Sequence, residues 1–162
     1  MMRVSDLIDL PIYTLLEGKS FKHSVKSLLL DGINNRVAAF VCKEGTLKKR
    51  YQLIPYERVI SIDFNGIVVP DMACIEKATL KEIHNFLQLD DILNKIVKSN
   101  NGDLYGILTD MYINPLTGRI TSYELSEGYI DDLVNGRRRI DIKNNLSKSL
   151  MNKEIILYQR LN

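Results

Sequence analysis

The sequence predicts a mainly β protein: two small β-barrels in tandem, joined by a short helical linker. Three observations support this fold class. They are a strong hairpin pattern at residues 102–128, a fainter copy of it earlier in the chain, and helical spacing of apolar residues between the copies. We expect the first barrel over residues 1–75, the linker over 76–89 and the second barrel over 90–162.

The clearest single element is the hairpin of the second copy. The apolar run Ile107–Ile113 is followed by Pro115, which fixes φ, and by Gly118, which can adopt a positive φ. Arg119–Leu125 then supplies a second run of β-favouring residues. Two such runs around a short loop that contains glycine predict an antiparallel pair.

Three residues of this hairpin are candidate structural turn residues: Asp110, Asn114 and Gly118. Asp and Asn beside a turn commonly accept hydrogen bonds from nearby backbone N–H groups. Asp110 and Asn114 would also offer two oxygens to a hard cation, but two oxygens are far fewer than a calcium ion takes. We therefore interpret all three as structural.

The first copy contains a similar series of short strands. Residues 4–13 predict an edge or first strand limited by Pro11, and residues 21–30 and 36–42 predict a hairpin around a turn-rich loop. Asn65-Gly66 lies between two further apolar runs, which is a strong hairpin signal.

The two copies align when Arg36 is placed on Arg119. Asn35 then falls on Gly118, so both turns carry a residue that tolerates the left-handed conformation, and Phe40 falls on Tyr123. An internal duplication of a small β unit is the simplest explanation.

Two segments have helical features. Thr79 and Glu82 have the spacing of a capping box before apolar residues, which predicts the linking helix. Residues 129–136 predict a helical turn with acidic residues near its start and Asn-Gly at its end.

The pattern from Gly106 through Asp110, Ile113 and Asn114 to Gly118-Arg119-Ile120 resembles the PRC-barrel domain. That small β-barrel occurs in the photosynthetic reaction centre H subunit and at the C-terminus of a ribosome-maturation factor family. Two copies in tandem resemble the double PRC-barrel proteins of spore-forming bacteria. The resemblance implies barrels used for docking and assembly, and it supplies no catalytic residues.

Composition restricts the function classes. The 162 residues carry a net charge of only +2, which argues against a chain built mainly to neutralise phosphates. Cys42 and Cys74 lack CxxC spacing, so we expect no disulfide. We expect no integral membrane insertion, since there is no long apolar run, and the lack of a secretory signal favours the cytoplasm.

Motifs for catalysis or cofactor binding are not evident. The sequence has no G-x-S-x-G elbow and no glycine-rich phosphate loop, and His23 and His84 have no zinc-ligand spacing around them. We therefore expect no enzymatic activity, no metal and no cofactor.

Two basic triplets fall at equivalent positions of the copies, and they are candidate residues for binding an anionic partner: Lys48, Lys49, Arg50, Arg137, Arg138 and Arg139. One interpretation is that they are solvated charges that protect a sheet edge. The other is a surface for an acidic protein patch or for RNA phosphates.

These patterns lead us to expect a non-enzymatic interaction or assembly module with a protein partner. The alternative is an RNA- or ribosome-associated factor that binds through the basic turns. The sequence leaves the identity of the partner open, and it also leaves a homo-oligomer open.

Overall fold

A computed structural model describes residues 1–16, 20–43, 50–83, 86–142, 147–151 and 154–158. The protein is mainly β, as predicted, and it divides into two compact units. Unit 1 comprises residues 1–89 and 113–119, and unit 2 comprises residues 90–112 and 120–162. The described part of the chain contains no helix long and apolar enough to cross a membrane.

The strands of unit 1 are β1 (Met2–Arg3), β2 (Pro11–Thr14), β3 (Ser20–Ser24), β4 (Ser27–Asp31), β5 (Arg36–Lys43), β6 (Arg50–Pro55), β7 (Ser61–Asp63), β8 (Gly66–Val69), β9 (Glu76–Thr79) and β10 (Leu87–Gln88). Its helices are α1 (Leu80–Ile83) and the 3-10 turns Ser5–Leu7, Tyr56–Arg58 and Met72–Cys74. Helix α2 (Leu89–Ile92) begins at Leu89, where the 1–89 segment of unit 1 ends, and continues into unit 2.

Two sheets form unit 1. One has the order β10-β4-β5-β6-β9 and the other has the order β3-β2-β8-β7. Strands β2 and β8 are parallel, whereas β7 and β8 form the hairpin predicted from Asn65-Gly66. A core of small and aliphatic side chains covers one face of the first sheet, and it includes Leu29, Val41 and Leu53.

The strands of unit 2 are β11 (Ile96–Ser99), β12 (Leu104–Ile113), β13 (Ile120–Ser126), β14 (Arg138–Asp141), β15 (Ser147–Met151) and β16 (Glu154–Tyr158). They follow the order β14-β13-β12-β11-β16-β15, in which β11 and β16 are parallel. The helix α3 (Tyr129–Asn135) connects β13 to β14.

The internal repeat is visible in the pairing of the strands. In unit 1, β4, β5 and β6 are neighbours and β2 pairs with β8 in parallel. In unit 2, β12, β13 and β14 are neighbours and β11 pairs with β16 in parallel. The positive φ values recur as well, at +53° for Asn35 and +69° for Gly118. Phe40 and Tyr123 are both almost fully buried. The alignment made from sequence therefore matches equivalent positions of the two folds.

The barrels themselves are not confirmed, because no sheet closes on itself among the described strands. The predicted strand at 21–30 is divided into β3 and β4. The backbone changes direction at Val25 and Lys26, whose N–H groups donate to the carbonyls of Leu10 and Val41 respectively. An apolar run in sequence cannot reveal such a change of partner strand.

The predicted linker also differs from the structure. Glu76–Thr79 is strand β9 and pairs with β6, and the helix α1 is limited to Leu80–Ile83. The capping box is present: Glu82 Oε2 accepts hydrogen bonds from the N–H of Thr79 at 2.6 Å and from its hydroxyl at 2.8 Å. Pairing with β6 therefore makes the residues before Leu80 a strand and not part of the helix. Residues 4–13 also differ, since Pro11 starts the inner strand β2 and not an edge strand.

Candidate interaction surface

The hairpin turn has the structural role predicted for its residues. Gly118 has a φ of +69°, and its N–H donates to the carbonyl of Asn114 at 2.8 Å. The Asn114 side-chain oxygen accepts a hydrogen bond from the N–H of Leu116 at 2.9 Å. Asp110 is buried, and its carboxylate accepts the N–H of Met111 at 2.7 Å.

This turn packs closely on Tyr56 within unit 1. The hydroxyl of Tyr56 donates to the carbonyl of Pro115 at 2.9 Å, and burial raises the pKa of the phenol to about 12. A Cβ added to Gly118 would lie 2.9 Å from two carbons of the Tyr56 ring. Glycine is therefore required here by both backbone conformation and space.

A cavity of 290 Å³ lies beside the same turn. Its walls combine the arginine–glutamate pair Arg36 and Glu57 with the apolar side chains of Ile60 and Leu116. Tyr56 also lines it, but the hydroxyl of Tyr56 is already bonded to Pro115. The raised pKa of Tyr56 thus follows from its burial beneath the turn.

The two basic triplets are described to different extents. Lys48 and Lys49 lie outside the described residues, and Arg50 is described only as the first backbone position of β6. Arg137, Arg138 and Arg139 are all exposed, as the binding hypothesis requires.

The arginines of the second triplet are paired with acids of unit 2. Arg137 lies 3.2 Å from the buried Glu124 and 3.9 Å from Asp132, and Arg138 lies 2.8 Å from Glu127. Pairing with acids of the same unit is typical of charges on a solvated sheet edge. Anion binding by the second triplet stays a prediction, with the charges of Arg137 and Arg138 partly neutralised by these pairs.

Arg139 also makes contacts within unit 2. Its Nε donates to the hydroxyl of Ser122 at 2.8 Å, and its guanidinium lies 4.2 Å from the centre of the Tyr112 ring. The hydroxyl of Tyr112 in turn donates to Glu124 at 2.9 Å. Arg137 and the hydroxyl of Tyr112 are thus partners of the buried carboxylate of Glu124, which requires such partners, and Arg139 lies against the Tyr112 ring.

The most distinctive surface of unit 2 is one that the sequence analysis did not identify. Four apolar side chains of α3 are exposed: Tyr129 (81%), Ile130 (76%), Leu133 (70%) and Val134 (76%). At about 100° per residue, all four fall within an arc of roughly 140° on the helix. We call this arc the α3 face.

The other side of α3 is polar, and Asp131 and Asn135 on that side are exposed. The carboxylate of Asp132 accepts the N–H of Glu127 at 3.3 Å and lies 3.9 Å from Arg137. An ordinary surface helix buries its apolar stripe and exposes its polar side. In α3 the apolar stripe is exposed as well as the polar side, and the helix has no buried residue.

The spacing of these residues was visible in the sequence, but their exposure was not. Residues 129, 130, 133 and 134 recur at helical intervals, and the natural expectation is that such a stripe packs inside its own domain.

Comparisons with known proteins give a partial match. The chain is 40% identical over 63 residues to the uncharacterized protein YrrD of Bacillus subtilis (strain 168), a match that covers 39% of this chain. The matched region spans only about a third (36%) of that relative's length. No family model matches the chain.

Proposed function

We propose that this chain is a non-enzymatic, cytoplasmic interaction module built of two PRC-type β units, and that it docks to a protein through the α3 face. The resemblance of the hairpin motif and the shared strand pairing of the two units support the PRC-type assignment. Cys42 and Cys74 are both free and buried, which is typical of a reducing compartment.

The observation that carries the docking role is the contiguous apolar stripe that α3 exposes. Exposed apolar residues are normal when they are scattered singly, but a contiguous apolar patch commonly marks an interaction site. Tyr129 is also a residue type enriched where proteins meet, since it combines a large apolar ring with a polar tip.

The RNA alternative has less support. Its argument was the basic triplet, and Arg137 and Arg138 have carboxylate partners within unit 2. Neutralised charges release fewer counterions, which weakens the electrostatic contribution on which non-specific RNA binding depends. We therefore keep RNA binding as an outcome of the experiment.

Site-specific photo-crosslinking tests the proposal. A photo-reactive amino acid is placed at Leu133, in the α3 face, and in a matched control at Asn135, which is exposed on the other side of the helix. Each full-length protein is irradiated in an extract of the source cells, with and without RNase, at about 50 and about 200 mM salt. Retention of the wild-type thermal transition shows that both proteins are folded.

We expect protein adducts from position 133 that resist RNase, change little with salt and are absent from position 135. Introducing Ile130→Glu beside the crosslinker should remove them, since it places a charge in the apolar contact. Adducts that disappear with RNase, or that fall steeply with salt, would support the RNA alternative. Equal adducts from both positions, or none, would refute docking through α3.

A further inference from the structure

Strand β7 of unit 1 has a free edge. It is the last strand of its sheet, and among the described strands none lies on its other side. Its pairing with β8 closes around the two-residue loop Phe64-Asn65, so Asp63 and Gly66 form the hydrogen-bonded pair next to the loop. The next pair, Ile62 with Ile67, is then of the non-hydrogen-bonded kind. The N–H and C=O of Ile62 therefore point away from β8, toward the free edge.

The 290 Å³ cavity beside the hairpin turn runs along this edge. Ser61 and Ile62 are successive residues of β7, so their side chains point to opposite faces of the sheet, yet both line the cavity. A cavity on one face would contact only alternate residues of the strand. Since β8 occupies the other edge, the cavity lies beside the free one, and Pro115 and Leu116 supply a further wall. We call this space the β7 slot.

The edge is apolar where edge strands are commonly protected by lysine or proline. Apolar side chains are exposed at both ends of β7 and on the turn: Ile60 (52%), Phe64 (74%) and Leu116 (90%). The volume of the slot is near the lower end of the ~300–1,000 Å³ typical of ligand pockets. A narrow apolar slot beside free backbone groups fits an extended peptide, whose backbone pairs with the edge while alternate side chains enter the slot.

Charges beside the slot favour an acidic segment. Glu57, on the wall of the slot, is paired with Arg36 at 3.2 Å, and the carboxylate of Asp63 accepts backbone N–H groups of its own loop. Arg58 directly precedes the wall residues of the β7 segment, and Arg119 directly follows the turn. Both arginines are exposed, and neither has an ion-pair partner in the described part of the chain. The nearby acids are thus occupied, whereas two cations are available to a carboxylate of the incoming chain.

We propose that the β7 slot binds an extended segment of a partner protein, which adds to β7 as a further strand and carries an acidic residue beside an apolar one. The N–H and C=O of Ile62 pair with the backbone of the segment. An apolar side chain of the segment packs against Ile60 and Leu116, and its carboxylate is attracted by Arg58 and Arg119. This site does not depend on the docking role of α3.

Peptide selection on the purified full-length chain provides the probe. A phage-displayed library of random linear nonapeptides is selected against the protein, and the most enriched sequence is synthesised and titrated by fluorescence anisotropy. We expect apolar residues at alternate positions and at least one aspartate or glutamate.

N-methylation of this peptide distinguishes strand addition from binding through side chains alone. A methyl group on a nitrogen that faces β7 removes a donor and keeps the two backbones apart, so the affinity should fall at least about tenfold. A methyl group on the next nitrogen, which faces away, should leave the affinity within about twofold. The loss should therefore recur at every second position, because N–H directions alternate along a strand.

Variants of the protein locate the site. Leu116→Glu should weaken the peptide at least about tenfold, since it removes an apolar contact and adds a charge that repels the acid of the peptide. The matched control is Ile33→Glu, at the aligned turn position of the first repeat, which is 95% exposed and does not line the slot. Arg58→Gln combined with Arg119→Gln should weaken the acidic peptide at least about threefold and leave its amide analogue unaffected. Wild-type thermal transitions show that the variants are folded.

Several results would overturn the proposal. They are a library that yields no enriched peptide, a selected peptide that binds Leu116→Glu as well as wild type, and a response to N-methylation that does not alternate. A chain that dimerises alone and becomes monomeric with Leu116→Glu would show that a second copy, and not a partner protein, occupies the slot. None of these measurements involves α3, so they leave the crosslinking test at position 133 independent.

Discussion

Replacing Gly118 by alanine should destabilise unit 1, although Gly118 belongs to a hairpin of the second repeat. The backbone cost of a Cβ at φ +69° is roughly 1–2 kcal/mol. The Cβ would also lie 2.9–3.0 Å from three carbons of the Tyr56 ring, so the ring must shift. Loss of the hydrogen bond from Tyr56 to Pro115 adds about 1 kcal/mol.

We therefore expect Gly118→Ala to lower the free energy of unfolding of unit 1 by roughly 2–3 kcal/mol, or its Tm by on the order of 10 °C. Denaturant unfolding followed by circular dichroism and by tyrosine fluorescence measures this. Gly136→Ala is a matched control, because Gly136 has a φ of +73° and nothing within 4 Å of its added Cβ. It should show the backbone cost alone.

A double-mutant cycle separates the contact from the backbone cost. In a Tyr56→Ala background the added methyl group meets no ring, so Gly118→Ala should cost about 1 kcal/mol less than in the wild type. The packing argument is refuted if Gly118→Ala costs no more than Gly136→Ala, or if removing Tyr56 brings no relief.

Two further predictions concern unit 1. Burial raises the pKa of Tyr56 to about 12, so the contribution of its neutral form to stability is complete below pH ~10 and is lost as the pH rises through 12. Ultraviolet titration should show Tyr56 ionising near pH 12, and its ionisation near pH 10 would contradict the packing described. Thr79→Ala should lower the free energy of unfolding by about 1 kcal/mol, because it removes the capping hydroxyl at the start of α1. Thr79→Ser keeps the hydroxyl and should retain most of the stability, so equal melting temperatures for the two variants would show that the cap contributes nothing.

The turns could be predicted from sequence because their chemistry is local. Asn35 and Gly118 were matched only by alignment, and both adopt a positive φ. The capping box of Thr79 and Glu82 forms with the residues that the pattern named. In each case the decisive contacts lie within a few residues along the chain.

What could not be predicted depends on distant partners. Glu76–Thr79 is a strand because β6 lies beside it, and the run at residues 21–30 divides because its backbone bonds to two different strands. The α3 face was missed for a related reason. Apolar residues at helical spacing predict an apolar stripe on the helix, but they do not indicate whether the stripe packs inside its own domain or stays exposed.

The grouping of residues 113–119 with unit 1 affects how the chain reaches its folded state during synthesis. The ribosome completes residues 1–89 well before it makes Pro115 and Gly118, so Tyr56 must wait for its hydrogen-bond acceptor while β11 and β12 emerge. A fragment that ends at residue 89 would therefore contain every strand of unit 1 and still lack the turn that packs on Tyr56. Anyone who wishes to produce unit 1 separately should supply residues 113–119 as well, as a peptide or as a fused hairpin.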